Sequence, residues 1–151
     1  MRKALKLAER AYARDEVPVG ALVVLGGKVI GRGFNRSISK NDPTAHAEIL
    51  ALRQAARRVG NYRLTGATLY CTLEPCAMCA SALIWARVKL LIYGAADPKA
   101  GAVHSQLQLL QEKIWNHRIE VIPGILEEPS SSLLKTFFKL KRESTRKKPL
   151  K

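Results

Sequence analysis

The sequence predicts a three-layer α/β domain in which helices cover both faces of a sheet. Three observations favour this class. The spacing of apolar residues alternates between helical and strand-like along the chain. The predicted elements follow the order α-β-β-α-β-α-β-α-β-α, and 151 residues with a hydrophobic fraction of 47% suit one core. We therefore treat residues 1–151 as one domain, with a basic helix and tail from about residue 127.

The first half of the chain predicts a helix, a β-hairpin and a second helix. Apolar residues at helical spacing predict the first helix over residues 2–14. Two apolar runs within residues 19–34 flank Gly26-Gly27, as in a hairpin. Thr44 follows a turn and can cap a helix over residues 45–58.

The second half predicts further alternation of strands and helices. Pro75 is suited to the opening of a helix. Acidic residues begin the last predicted helix and basic residues end it, which suits the helix dipole. The expected elements are strand 67–73, helix 76–86, strand 88–93, helix 105–112, strand 119–122 and helix 127–147.

Charge is the most unusual bulk property of the chain. There are 26 basic and 12 acidic residues, a net charge of +14. Residues 139–151 hold seven basic residues and one acidic residue, Glu143. A small protein this basic usually meets a polyanion, so nucleic acid is the favoured partner. A solvated tail is the alternative, and we expect no membrane partner, because no apolar run is long enough to span a bilayer.

Two short motifs carry the residues suited to chemistry. One is His46-Ala47-Glu48, and the other is Pro75-Cys76-Ala77-Met78-Cys79. Two cysteines three residues apart share a helix face, and a helix amino terminus favours their thiolates. One imidazole and two thiolates give zinc three protein ligands. A fourth position then stays open for water, as in catalytic rather than structural zinc sites.

The cysteines leave other interpretations open. Cys71 could be a fourth ligand of a structural zinc, although it lies in an alternating strand and is better read as a core thiol. Cys76 and Cys79 alone could form a redox pair. Residues 1–10 are charged too densely for an export signal, so we expect a cytoplasmic protein with reduced thiols.

The combination of H-x-E and P-C-x-x-C is the signature of zinc-dependent nucleobase deaminases. Beyond it, nearly the whole chain resembles the bacterial tRNA-specific adenosine deaminases. The similar blocks, in family order, are Glu16-Val17-Pro18-Val19-Gly20-Ala21, Asn35, Asp42-Pro43-Thr44-Ala45-His46-Ala47-Glu48, Glu74-Pro75-Cys76-Ala77-Met78-Cys79 and Asp97-Pro98-Lys99-Ala100-Gly101-Ala102. The resemblance implies a cytidine-deaminase-like α/β/α fold with a mixed five-stranded sheet, and a homodimer.

The resemblance also implies a reaction. His46, Cys76 and Cys79 would hold one zinc ion per subunit, and Glu48 would be the acid/base that is not a ligand. Zinc-activated water would convert adenosine to inosine at the wobble position of a tRNA anticodon. The usual target in the family is an arginine tRNA with the anticodon ACG.

Further residues are candidates for contact with the substrate. In the family, the asparagine matching Asn35 binds the target base, and a carboxylate at Asp97 could accept a hydrogen bond from a 2′-OH or simply close a turn. The other expected pocket residues are Ala47, Val17, Leu73 and Pro75. The weaker candidates for RNA binding, chosen as aromatic or basic residues, are Arg118, Phe138, Lys139, Lys141 and Arg142.

Three alternatives to a tRNA enzyme remain. A free-base deaminase, particularly guanine deaminase, shares both zinc motifs, although it has no evident need for a charge of +14. A zinc protein that merely binds RNA would need a closed four-ligand site without a carboxylate such as Glu48. A thiol redox protein would hold no stoichiometric zinc.

Overall fold

The computed structural model describes residues 1–146. Within these residues the helices and strands alternate much as the sequence predicts. They are α1 (Arg2–Ala13), β1 (Gly20–Leu25), β2 (Lys28–Phe34), α2 (Ser37–Lys40), α3 (Ala47–Val59), β3 (Thr68–Leu73), α4 (Ala77–Trp85), β4 (Leu90–Ala95), β5 (Glu120–Ile122) and α5 (Glu127–Arg146).

The five strands form one mixed sheet in the order β2-β1-β3-β4-β5. The sheet contains antiparallel and parallel pairs. Strand β1 runs antiparallel to β2 and β3, whereas β3, β4 and β5 run parallel to one another. The mixed five-stranded sheet that the family resemblance implies is therefore confirmed.

Helices cover both faces of this sheet. On β1, Ala21 and Val23 belong to the main core together with residues of α3 and α4. The residue between them, Leu22, packs with Ala4 and Leu7 of α1 on the opposite face, where α5 also contacts α1. This period-two alternation produces the predicted three layers. None of the helices described within residues 1–146 is long and apolar enough to span a membrane.

Two local predictions were wrong, and one short element was missed. The short helix α2 was not foreseen. Thr44 does not cap α3, because His46 occupies the cap position and the Thr44 hydroxyl donates to Asp42 instead. The helix expected over residues 105–112 is reduced to a single 3₁₀ turn, Leu109–Gln111. The backbone before that turn is held in a loop by hydrogen bonds to Glu74, a tertiary contact that helical spacing cannot reveal.

The last predicted helix is described as far as Arg146. Helix α5 extends to Arg146, close to the expected end at residue 147. Residues 147–151, which contain three of the basic residues counted in the tail, lie outside the described residues.

Helix α3 packs unusually closely on strand β2. A Cβ atom built on Gly31 would lie 2.2 Å from the carbonyl oxygen of Ala51, and one built on Gly33 would lie 2.2 Å from the carbonyl oxygen of Ala47. Any side chain at either position would therefore push the helix away from the strand. Since α3 carries His46 and Glu48 at its start, the two glycines set the position of both side chains relative to the sheet.

A buried carboxylate anchors the segment between β2 and α3. Glu16 is 2% exposed, and its two oxygens accept the backbone N–H groups of Ile38 and Ser39 at 3.1 and 2.7 Å. Burial alone would raise the pKa of Glu16, but these N–H groups and the nearby charge of Arg36 outweigh it and lower the pKa. The ionised carboxylate thus stabilises the start of α2.

We predict that Gly33→Ala destabilises the fold by about 3 kcal/mol, because the added methyl group meets the backbone of α3. Urea denaturation at neutral pH measures the change. Gly60→Asn is the matched control, since Gly60 ends α3 in the left-handed conformation that asparagine tolerates, and a Cβ there meets no described atom within 4 Å. Equal stability of the two variants would contradict the close packing.

Glu16→Gln should lower the free energy of unfolding at pH 7 by about 2 kcal/mol, because hydrogen bonds to a charged acceptor are lost. The folded-state pKa lies below the unfolded value, so the carboxylate stabilises the fold above about pH 4.3. That contribution is lost as the pH falls through the folded-state pKa. The unfolding free energies of wild type and Glu16→Gln should therefore converge there. Urea denaturation across this pH range measures it, with exposed Glu9→Gln as control. A stability difference between wild type and Glu16→Gln that does not change with pH would refute the electrostatic origin of the stabilisation.

Candidate active site

The amino termini of α3 and α4 meet at one point. His46 occupies the cap position of α3 and Cys76 that of α4, while Cys79 lies in the first turn of α4. Nδ1 of His46 is 3.6 Å from Sγ of Cys76 and 3.6 Å from Sγ of Cys79. The ligand atoms of these three residues all lie within 4.8 Å of one another.

This donor set has the dimensions of a zinc site. A tetrahedral zinc with Zn–N of about 2.0 Å and Zn–S of about 2.3 Å separates nitrogen from sulfur by roughly 3.5 Å. The two observed separations of 3.6 Å agree with that value. Within residues 1–146, His46, Cys76 and Cys79 form a group of three potential ligands close enough to bind one ion. Three protein ligands leave the fourth position of a tetrahedral zinc open.

The two thiols are strongly coupled. A hydrogen bond from the Cys79 thiol lowers the pKa of Cys76 to about 4, against the opposing effect of burial. The same contact, together with burial, raises the pKa of Cys79. The contact with Cys76 also raises the pKa of His46. A divalent cation requires thiolates, so its binding here would displace the proton that the two sulfurs share and release it to solvent.

Glu48 lies beside this cluster on α3. The residue is only 4% exposed, and burial raises the pKa of its carboxyl group. Behind it, Cys71 is fully buried in the main core, and burial raises the pKa of its thiol well above the usual range. Cys71 is therefore a core residue outside the three-residue cluster, as its strand position predicts.

A cavity of about 700 Å³ opens above Glu48. This volume is typical of pockets that hold small ligands. Its walls combine the helix starts, the ends of β3 and β4, the loop after β4, and one face of α5. The lining residues include Val17, Asn35, His46, Glu48, Leu73, Glu74, Cys76, Asp97, Lys99, Ser131, Leu134, Lys135, Phe138 and Arg142.

Asn35 lines this cavity and also touches α3. Its side-chain oxygen accepts the backbone N–H of Ala47 at 2.8 Å. This bond uses one lone pair of the oxygen, and the amide NH₂ remains as a donor for a ligand. Ala47 and Pro75, two expected pocket residues, are both buried and do not line the cavity, whereas Val17 and Leu73 do.

Asp97 serves the turn after β4 and lines the cavity as well. Its Oδ1 atom accepts the backbone N–H groups of Lys99 and Ala100 at 3.0 and 3.2 Å. This is the turn that an Asp-Pro sequence suggests. The turn uses one carboxylate oxygen, so the second oxygen is available to a ligand.

Glu74 organises the same loop, a role that the sequence did not reveal. Its Oε1 accepts the N–H groups of Val103, His104 and Ser105 at 2.7–3.2 Å, and its Oε2 accepts the N–H of Asp97 at 3.0 Å. Because this carboxylate is 2% exposed, its hydrogen bonds fix the loop firmly against the end of β3. The only signal in the sequence is an acidic residue next to Pro75.

The five weaker RNA candidates occupy different environments. Phe138 and Arg142 line the cavity, and Phe138 is 44% exposed. Lys139 is exposed on α5 away from it. Lys141 forms an ion pair with Asp15, and Nη1 of Arg118 donates to the carbonyl oxygens of Leu110 and Glu112. The face of α5 that lines the cavity also contains Lys135, which the sequence did not single out.

Comparison with known proteins agrees with this geometry. Residues 1–142 match the family model described as MafB19-like deaminase. A solved structure from a study of A-to-I editing by tRNA:A34 deaminases at the wobble position of transfer RNA superimposes with a TM-score of 0.87 and 48% identity, covering 89% of this chain and 97% of that one.

A more distant likeness is to the guanine deaminase of Nitrosomonas europaea. That structure is 26% identical with a TM-score of 0.79, covering 90% of this chain and 81% of its own. In contrast, the tRNA-specific adenosine deaminase of Haemophilus influenzae is 50% identical over 95% of this chain and 83% of its own length. The chain therefore belongs to the tRNA-specific adenosine deaminase family.

Proposed function

We propose that this protein deaminates adenosine to inosine at the wobble position of a tRNA anticodon, with an arginine tRNA carrying ACG as its main substrate. One observation carries the proposal: a buried carboxyl group lies beside a three-ligand cluster at the base of an open cavity. The relatives described above extend this chemistry to adenosine in tRNA.

We assign zinc to the cluster formed by His46, Cys76 and Cys79, with one ion per chain. When bound, zinc supplies a water molecule acidic enough to react at neutral pH. The chain's own contribution is a rigid set of ligands at the start of two helices, where the helix dipoles favour thiolates.

Glu48 is assigned as the acid/base. Its carboxylate takes a proton from the attacking water and delivers it to N1 of adenine while the new C6–O bond forms. Glu48 then takes the proton of the new C6 hydroxyl and delivers it to the amino group. The C6–N bond breaks and ammonia leaves, so that adenosine and water become inosine and ammonia. Burial suits both roles, because it raises the pKa of Glu48 toward the range in which a carboxyl group can donate as well as accept.

The base itself is held by groups of different polarity. The amide NH₂ of Asn35 donates to an acceptor on the base, since its oxygen already binds Ala47. Val17 and Leu73 provide apolar contact with the purine faces. The second oxygen of Asp97 accepts from a ribose 2′-OH, which would favour RNA over DNA.

The RNA strand enters along α5. Phe138 can stack on a neighbouring base and Arg142 can bind a phosphate, since both line the cavity. Lys139 is a further exposed phosphate contact. We do not extend this role to Lys141 or Arg118, because contacts within the chain already engage their side chains.

A homodimer belongs to the same proposal. Trp85 and Ile114 are 64% and 80% exposed, and Trp85 packs edge-to-face on Trp115, the residue next to Ile114. These side chains form one exposed apolar patch, the kind of surface that marks an interface. A cytoplasmic location follows from the substrate, and it keeps the ligand thiols reduced. A molar mass in solution equal to that of one chain would contradict the dimer.

The decisive experiment is inosine formation in an ACG anticodon stem-loop by zinc-loaded protein. Glu48→Ala should keep one zinc per chain and lose turnover by a factor of about 10² to 10⁴, the contribution expected of a positioned acid/base. Glu9→Ala, a change at an exposed acidic residue of α1, is the matched control and should retain full activity.

Two outcomes would overturn the assignment. Retained turnover in zinc-loaded Glu48→Ala would remove Glu48 from the chemistry. Absence of inosine with wild-type protein, accompanied by conversion of guanine to xanthine, would replace the tRNA enzyme with a free-base deaminase such as the structural neighbour from Nitrosomonas europaea.

A further inference from the structure

We propose that Lys135 is a specificity-determining residue that binds a phosphate next to the target nucleotide. The proposal rests on the function proposed above. It names the side chain that would distinguish a nucleotide within an RNA strand from a free base. The candidate contact was not visible from the motifs.

Lys135 lies on the face of α5 that lines the cavity. Ser131, Lys135, Phe138 and Arg142 recur every three to four residues, so they form one face of the helix. All four line the cavity that contains Glu48. Lys99 lies in the cavity wall formed by the loop after β4. The opening is thus bounded by basic residues from two elements.

The charges at the opening are not balanced. Lys99, Lys135 and Arg142 are exposed, whereas the acidic residues that line the same cavity are the half-buried Asp97 and the buried Glu48 and Glu74. One oxygen of Asp97 already accepts two backbone N–H groups. The ion pairs formed within residues 1–146 join Lys141 to Asp15 and Arg53 to Asp42, and neither includes Lys135. The ammonium group of Lys135 is therefore free to bind an anionic ligand.

The spacing along α5 allows Lys135 a contact of its own. Seven residues of helix span about 10 Å, so extended side chains of Lys135 and Arg142 reach two different phosphates of a strand. Leu134, beside Lys135, lies in the core and lines the cavity, whereas Phe138 toward Arg142 is 44% exposed. Lys135 is thus nearer the base of the cavity, and its partner is a phosphate flanking the target nucleotide.

A phosphate contact of this kind affects binding rather than chemistry. Free guanine or adenine offers no phosphate, so Lys135 can improve the binding only of a base that belongs to a strand. The contact should raise affinity in a salt-dependent way, because each neutralised phosphate releases counterions. It should leave the reaction at Glu48 unchanged.

The test uses the full zinc-loaded chain and the ACG stem-loop. Wild-type protein must first form inosine, and failure there refutes the proposed function itself. Lys135→Gln should raise KM roughly five-fold, the size of one exposed ion pair, with kcat unchanged. The slope of log KM against log salt should fall by about 0.7. Lys135→Arg should restore both values, and Lys89→Gln, at an exposed lysine before β4, should change neither.

Neutral linkages in the RNA identify the phosphate. A methylphosphonate placed on either side of the target adenosine removes one charge at a time. One of the two linkages should raise KM for wild-type protein and have no further effect on Lys135→Gln, as expected for partners in one contact. The inference is overturned if both linkages cost wild type and variant equally, if Lys135→Gln behaves like Lys89→Gln, or if kcat falls instead of KM rising.

Discussion

The close contact between α3 and β2 is the constraint on which the site depends. Gly31 and Gly33 let the helix backbone approach the edge strand to a distance that no side chain would allow. The first turn of α3 is thereby fixed against the sheet, and Asn35, immediately after β2, bonds to the N–H of Ala47 in that turn. Three groups that the reaction needs, an imidazole, a carboxyl group and an amide, are positioned by this one packing contact.

Two opposing electrostatic effects meet at the same point. The amino terminus of α4 and the hydrogen bond from the Cys79 thiol favour the thiolate of Cys76, the form in which a cysteine binds a metal ion. Two residues after His46, burial favours the protonated form of Glu48. The fold can supply both environments because His46 and Cys76 occupy cap positions at the cavity, whereas Glu48 is buried within the first turn of α3.

Sequence patterns predicted those features of the site that depend only on neighbouring residues in the chain. The spacing of His46 to Glu48 and of Cys76 to Cys79 requires only a helix start, and the hairpin follows from Gly26-Gly27 between two apolar runs. Contacts between distant segments were not accessible. Glu74 replaces an expected helix by a loop, through hydrogen bonds to residues 23 to 31 positions away. Nothing in local propensity records such a contact. The occupied oxygen of Asn35 and the cavity-facing position of Lys135 likewise depend on how elements pack.

The account as a whole requires an open metal centre, with three protein ligands and one exchangeable position beside Glu48. X-ray absorption at the zinc edge of the purified, zinc-loaded protein tests this most directly. A three-ligand site with one open position gives two sulfur ligands at about 2.3 Å and two nitrogen or oxygen ligands at about 2.0 Å. Three sulfur ligands would bring Cys71 into the shell and indicate a closed structural site. That result would contradict both the chemistry assigned to Glu48 and the deaminase activity that rests on it.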